Sequence, residues 1–216
     1  GGSTDSGSAA NAELWNGTNW TEVNDLNTAR SAAAAAGADN TSGLAFGGNV
    51  PPVSATTESW NGTNWTEVND LNTARTTLAG DGIITAALAF GGGPVTGATE
   101  QWNGTNWTEV NDLNTARQYL SGCGTSTSSL AFGGETPAVA ELAITESWDG
   151  TSWTEVADLS TARNLFGGAG ASNLSGLAFG GNEPGSPGVS AATEEWTGAG
   201  AAIGAWATGG DMNTAK

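Results

Sequence analysis

The sequence predicts an all-β fold made of repeated four-stranded units. Two phrases that recur along its 216 residues set that expectation. ESWNGTNWTEVNDLNTAR at 58–75 returns as ELWNGTNWTEVNDLNTAR at 13–30, EQWNGTNWTEVNDLNTAR at 100–117 and ESWDGTSWTEVADLSTAR at 146–163. A divergent copy, EEWTGAGAAIGAWATGGDMNTAK, occupies 194–216, and LAFGG stands between copies at 44–48, 88–92, 130–134 and 177–181. The Glu-x-Trp tryptophans (Trp15, Trp60, Trp102, Trp148, Trp196) follow one another at 45, 42, 46 and 48 residues. A period in the forties with two landmark phrases marks a repeat architecture, whose units bury a core by stacking on their neighbours.

Residues 76–117 hold the cleanest copy. TTLAGDG (76–82) is short, small and apolar, as suits an inner strand crowded near a central axis. TAALAFGG (85–92) follows as a second strand closed by a double glycine, and GPVTG is a loop. ATEQWNG (98–104) reads as the third strand and NWTEVND (106–112) as the fourth. There Trp107, Glu109 and Asn111 alternate with Thr108 and Val110 at the period of two that strands require. The Asn-Gly between them is a hairpin signal, because both residues tolerate the positive φ of such turns. DLNTAR then leads into the next inner strand. Four antiparallel strands per period make one blade of a β-propeller.

The units of this single repeat domain, 1–216, run approximately 1–30 (partial), 31–75, 76–117, 118–163 and 164–216. The third-and-fourth-strand pair occurs five times and the first-and-second pair four times, so eighteen strands are expected where a closed five-blade ring needs twenty. Gly1–Gly2 reads as the tail of a further LAFGG, and the chain stops at Lys216 where another inner strand would begin. The expectation is five blades with the first incomplete, completed by a neighbouring segment or chain or continued as a larger array. An unpaired blade edge would otherwise invite association. The start at Gly1, without Met or a signal peptide, fits a processed chain or part of a longer one.

Composition narrows the chemistry. There is no histidine, Cys123 is the single cysteine, Tyr119 the single tyrosine and Met212 the single methionine. His-dependent triads, His/Cys zinc sites and His-ligated haem or copper are excluded, and no cofactor is expected. Scattered Ser, Thr and Glu do not supply a nucleophile–base pair, so the reading is non-enzymatic. Net charge is −17, and all five basic residues (Arg30, Arg75, Arg117, Arg163, Lys216) fall at one repeat position. No basic patch remains for nucleic acid or an anionic membrane surface. No apolar run approaches the ~20 residues of a membrane span. Ten tryptophans in register argue against disorder.

Three sets of residues are candidates for structure or function. Trp15, Trp20, Trp60, Trp65, Trp102, Trp107, Trp148, Trp153, Trp196 and Trp206 are expected to wedge between blades whose inner strands are mostly Ala, Gly, Leu and Ser; the alternative is a set of sugar-stacking platforms. The cations, beside Glu13, Glu58, Glu100, Glu146 and Glu194, predict one salt bridge per blade, since an Arg fork suits a fixed carboxylate; the alternative is an anion-binding collar at the channel mouth. Pro51, Pro52, Pro94, Pro137, Pro184 and Pro187 all lie in the loops between second and third strands, which vary most in length and wording. Antiparallel order puts these loops and the DLNTAR turns on one face, making them candidate partner-contact loops. The recurring Asn24–Asp25, Asn69–Asp70 and Asn111–Asp112 lack the spacing of a calcium loop and are expected to build turns. The sequons at Asn16, Asn61 and Asn103 coincide with hairpin turns.

The double glycines (Gly47–Gly48, Gly91–Gly92, Gly133–Gly134, Gly180–Gly181), followed by Trp60, Trp102, Trp148 and Trp196 and then by Trp65, Trp107, Trp153 and Trp206, resemble the kelch repeat. The likeness covers nearly the whole chain and implies a kelch-like propeller. It departs from that family in having Glu-x-Trp where many kelch repeats carry an aromatic followed by Asp. The copper oxidase sharing the kelch propeller needs histidine and tyrosine ligands that this chain lacks. The near-identity of the copies, with WNGTNWTE, LNTAR and LAFGG, is similar to repeat proteins encoded by marine bacteriophages and assigned to their virions. That resemblance implies a structural or adhesion protein at the virion surface, such as a fibre, whisker or capsid decoration. Its implied partners are other virion proteins, copies of itself or a host-surface glycan. The alternatives are a secreted bacterial glycan-binding propeller and a spacer that binds only its assembly partners.

Overall fold

A computed structural model describes residues 1–5, 7–138, 140–185, 189–198 and 205–212, which form strands and turns without a helix. Short hairpins open the chain: β1 (Gly2–Thr4) with β2 (Gly7–Ala9), then β3 (Ala12–Trp15) with β4 (Trp20–Val23). Four antiparallel four-stranded sheets follow, each with its strands in sequence order. They are β5 (Ala34–Asp39), β6 (Ser42–Phe46), β7 (Thr57–Trp60) and β8 (Trp65–Val68); β9 (Ala79–Ile83), β10 (Ala86–Phe90), β11 (Thr99–Trp102) and β12 (Trp107–Val110). Next come β13 (Ser121–Thr125), β14 (Ser128–Phe132), β15 (Thr145–Trp148) and β16 (Trp153–Glu155); then β17 (Gly167–Ser172), β18 (Ser175–Phe179), β19 (Thr193–Thr197) and β20 (Ala205–Thr208).

The expected strands therefore form as β3 to β20, and β1–β2 is an addition. That hairpin is not the inner pair of the first unit. Gly2 N donates to Arg30 O at 2.9 Å, just as Gly48 N donates to Arg75 O and Gly92 N to Arg117 O. Gly1–Gly2 thus occupy a double-glycine position, and β1–β2 decorates the loop that follows it. The double glycine is required by geometry: Gly91 and Gly92 have φ of +65° and +114°, and a Cβ on Gly91 would lie 2.8 Å from Arg117 O.

First strands of successive sheets lie side by side, β5 against β9, β9 against β13 and β13 against β17. Together they line one cavity of about 230 Å³. Such convergence explains their small residues, since a Cβ on Gly80 or Gly122 would run into the ring of Phe46 or Phe90 from the preceding sheet. Backbone hydrogen bonds link the same strands at their entry: Thr77 N to Ala32 O, Tyr119 N to Thr77 O and Leu165 N to Tyr119 O. All four of these residues hold a left-handed φ of 51° to 54°. Non-glycine residues pay for that conformation, and here the interstrand bonds over-determine it.

The core fills the wedge between sheets. In every unit the third-strand tryptophan pairs in register with the fourth-strand one, as Trp102 does with Trp107 and Trp148 with Trp153. Trp107, Trp153 and Trp206 pack on Phe46, Phe90 and Phe132 of the preceding sheet at centroid distances of 4.9 to 5.0 Å. Each indole N–H donates across the same junction, to Thr57, Thr99 and Thr145 Oγ1 at 3.1 Å. Trp60, Trp102, Trp148 and Trp196 are buried too, with their N–H groups on carbonyls at the hairpins between first and second strands. Burying one indole removes roughly 150–250 Å² from water, about 4–6 kcal/mol as an upper bound.

The first unit departs from this expectation. Trp15 and Trp20 are 42% and 64% exposed, and Trp65 of the second unit is half-buried, because among the described residues β3–β4 has no inner pair beside it. The Asn-Gly turn also differs from its expected geometry. The loop spans four residues, only the glycine takes a positive φ, and Asn103 Oδ1 accepts from the backbone N–H of Thr105 and Asn106. Asn16, Asn61 and Asp149 do the same in their own turns. The expected sites at Pro187 and Lys216 lie outside the described residues.

Position in the wedge therefore decides what each tryptophan contributes. Trp107→Ala is expected to cost about 3–5 kcal/mol in urea unfolding. Trp20→Ala should cost no more than about 0.5 kcal/mol, as for an exposed residue.

Candidate functional site

The prolines mark a set of loops held at their feet by buried arginines. Pro51, Pro52, Pro94, Pro137 and Pro184 are exposed, whereas Arg30, Arg75, Arg117 and Arg163 are at most 1% exposed. Each arginine joins two consecutive units. Its backbone belongs to the preceding loop: Arg75 N donates to Ser54 O, and Arg75 O accepts from Gly48 N. Its side chain enters the next sheet. Arg30 Nη1 donates to Gly47 O and Thr56 O, Arg75 Nη1 to Gly91 O and Ala98 O, and Arg163 Nη1 to Gly180 O and Ala192 O. These carbonyls are the two ends of a proline loop in each case. Arg117 is rotated, giving Nη2 to Ala131 O and Nη1 to Thr115 O.

Each guanidinium also pairs with a buried glutamate: Arg30–Glu58 at 2.6 Å, Arg75–Glu100 at 2.9 Å, Arg163–Glu194 at 2.9 Å, and Arg117–Glu146. There is thus one such pair in each four-stranded sheet, and Glu183 adds a second contact to Arg163 at 3.3 Å. The carboxylate is satisfied from its other side, as Glu100 accepts from Asn72 N, Asn72 Nδ2 and Thr73 N. Burial pulls Arg75 and Arg117 below the usual arginine value, and Glu100 and Glu146 oppose it. An anion-binding collar would need these cations at the surface; the structure places them inside and already paired.

The Asn-Asp pairs of the connecting turns are likewise occupied. Asp25, Asp70 and Asp112 accept from the backbone N–H of Ala12, Thr57 and Thr99, and Asp158, which follows Ala157 at the same repeat position, accepts from Thr145 N–H. Asn24, Asn69 and Asn111 reach the hairpin of the next unit, donating to Thr63 O, Thr105 O and Thr151 O. Among the described residues no group of three or more His, Cys, Asp or Glu is gathered as a metal site.

Two side chains lining the cavity between the first strands were not singled out as functional by sequence reading. Asp81 and Cys123 stand six residues after Arg75 and Arg117, where the other units have Ala36 and Ala169. Asp81 accepts a hydrogen bond from Ser129 Oγ of the next sheet, and burial pushes its carboxyl up to about 7 against that bond. Burial, with Asp81 adding to it, pushes the Cys123 thiol up to about 12, so it stays protonated and packs as an apolar group. A charged residue inside an Ala-Gly strand was the available signal for Asp81.

Both features have measurable consequences. Arg117→Ala should lose about 3–5 kcal/mol, because Glu146 is left buried without its cation, while Arg117→Met with Glu146→Leu should lose less than either single change. Urea unfolding of the three variants checks this. For Asp81 the folded pKa lies above the unfolded one, so its stabilising contribution is complete below the ordinary carboxylate pKa and is lost as pH rises through about 7. The difference amounts to at most about 4 kcal/mol. Stability should fall from pH 5 to pH 8, and Asp81→Asn should flatten that slope.

No protein-family model matches the chain, and no curated protein is found to be similar to it, so its function has to be read from its own residues.

Proposed function

We propose that the chain is a kelch-like β-propeller serving as a non-enzymatic structural or adhesion component of a virion surface, such as a fibre, whisker or capsid decoration. Consecutive antiparallel sheets, first strands lining a common cavity and aromatic wedges between sheets support the propeller. The virion assignment rests on the likeness of the repeat wording to phage proteins. One observation carries the display role: three loops of different length and sequence, those after Gly47, Gly91 and Gly180, stand on the same buried arginine clamp. A body that fixes loop ends and leaves loop tips exposed is built for variable contacts on a rigid support. Many copies per particle convert weak contacts with a host glycan or neighbouring protein into avidity.

A second reading, a secreted bacterial glycan-binding propeller, draws on Trp15 and Trp20. Their rings are exposed, with centroids 5.5 Å apart, and offer an aromatic face to a sugar.

The two readings separate by mutation. Replacing residues 50–53 and 136–140 with Gly-Ser stretches of equal length should abolish host-surface or glycan binding and leave the melt unchanged. Loss of sugar binding in Trp15→Ala or Trp20→Ala, with the loop variants unaffected, favours the second reading. A chain that binds neither glycans nor host cells but is stoichiometric in virions is a spacer.

A further inference from the structure

The turns between third and fourth strands carry a group that their fold does not use. Asn16, Asn61 and Asn103 each open an Asn-Gly-Thr triplet, and Asp149 opens Asp-Gly-Thr at the same repeat position. In all four turns the side-chain oxygen accepts from two backbone N–H groups, at 2.9 Å in the asparagine turns and 2.8 Å at Asp149. Asp149 has no amide nitrogen, yet its turn makes the same bonds. The turn therefore needs an oxygen and has no use for Nδ2.

Its hydrogen bonding even favours a carboxylate. The backbone N–H groups of Ser152 and Thr151 hold the Asp149 carboxyl below its ordinary value, because hydrogen bonds to an ionised acceptor are the stronger kind. Turn geometry thus gives no reason for asparagine in the other three copies. Among the described residues, Nδ2 of Asn16, Asn61 and Asn103 makes no hydrogen bond, and neither does Oγ1 of Thr18, Thr63 or Thr105. All six residues are exposed. Nearby asparagines do use their amide nitrogens: Asn24 Nδ2 donates to Thr63 O and Asn69 Nδ2 to Thr105 O, which steadies these turns from the preceding unit.

We infer that Asn16, Asn61 and Asn103 are acceptor sites for N-linked sugar, each joined through Nδ2 to C1 of a hexose-type residue. The triplet matches the acceptor pattern, and the turn supplies a physical reason for it. An amide nitrogen is a poor nucleophile because its lone pair is shared with the carbonyl. As Nδ2 loses a proton, negative charge gathers on Oδ1. Two N–H groups already aimed at that oxygen stabilise the charge, as they do on Asp149. Nδ2 then attacks C1 of a phosphate-activated sugar and forms the N–C1 bond. The C1–O bond to phosphate breaks, its electron pair leaves with the phosphate, and the Nδ2 proton passes to a base on the transferase. Oδ1 keeps both hydrogen bonds throughout, so the folded turn is itself the acceptor.

These turns stand at the opposite end of the strands from the proline loops, beside the hairpins between first and second strands. A Cβ on Gly62 would lie 3.2 Å from Thr41 O, and one on Gly104 would lie 3.4 Å from Thr85 O. Sugar there covers that face with hydrated bulk and leaves the loop face free. The inference needs only the turns and stands apart from the virion assignment.

The test incubates the folded chain with an N-glycosyltransferase and UDP-glucose, and maps hexose by peptide mass spectrometry. Hexose is expected on Asn16, Asn61 and Asn103 and is not expected at position 149. Asp149→Asn should add position 149 to the set. Thr63→Ala should abolish modification at Asn61 alone, with the melt unchanged. The chain isolated from its natural source should carry sugar on the same three asparagines. A folded chain left bare by the transferase overturns the inference, as does position 149 staying bare in Asp149→Asn. So does a natural chain whose three asparagines are unmodified, or have lost the amide nitrogen without gaining sugar.

Discussion

The buried arginine is the constraint on which the repeat depends. Its main chain ends one unit and its side chain closes the next, so neighbouring sheets are coupled through a single residue. Removing a guanidinium and a carboxylate from water costs several kcal/mol per ion, recovered only when geometry and hydrogen bonding are complete. Completion is visible around Glu58, which accepts from Arg30, from Asn27 through both backbone and side chain, and from Thr28. The Leu-Asn-Thr-Ala-Arg phrase is therefore one device. Its leucine enters the core, its asparagine and threonine present N–H groups to the glutamate, and its arginine supplies the charge.

Apolar packing builds on that coupling. A phenylalanine from one sheet, a tryptophan from the next and a glycine that admits the ring recur at each complete junction. The three are matched in size, since a Cβ on Gly80, Gly122 or Gly168 would meet the ring that packs there. The same matching distinguishes copies whose outer phrases are almost identical. Asp81 meets Ser129 of the following sheet, while Cys123 lies against Gly170 and Gly176 of its own follower. The copies thus differ at the cavity lined by the first strands, where Asp81 and Cys123 stand.

Loops and junctions divide the work. At three of the proline loops the arginine holds the ends through carbonyls that any residue can provide, which leaves the loop sequence free to vary. The junctions cannot vary in that way, since a buried charge or an unpaired indole N–H penalises every departure. The first unit, with exposed Trp15 and Trp20, and Trp65 of the second, whose Nε1 is unmatched among the described residues, keep junction chemistry beside an open surface.

The eighteen strands β3 to β20, their order, the double-glycine stops and the pairing of arginine with Glu-x-Trp glutamate were legible in the sequence, whereas the β1–β2 hairpin was not. They are written in local spacing, period-two alternation and recurring phrases, which need no knowledge of distant contacts. The open state of Trp15 and Trp20 was not legible, because identical words are buried or exposed according to whether a neighbouring strand pair stands beside them. Nor were the Asp81–Ser129 contact and the arginine's grip on both loop ends, which join residues far apart in the chain. Sequence determined what each unit is, and tertiary structure decided what each unit meets, since burial and hydrogen-bond partners belong to the space between sheets.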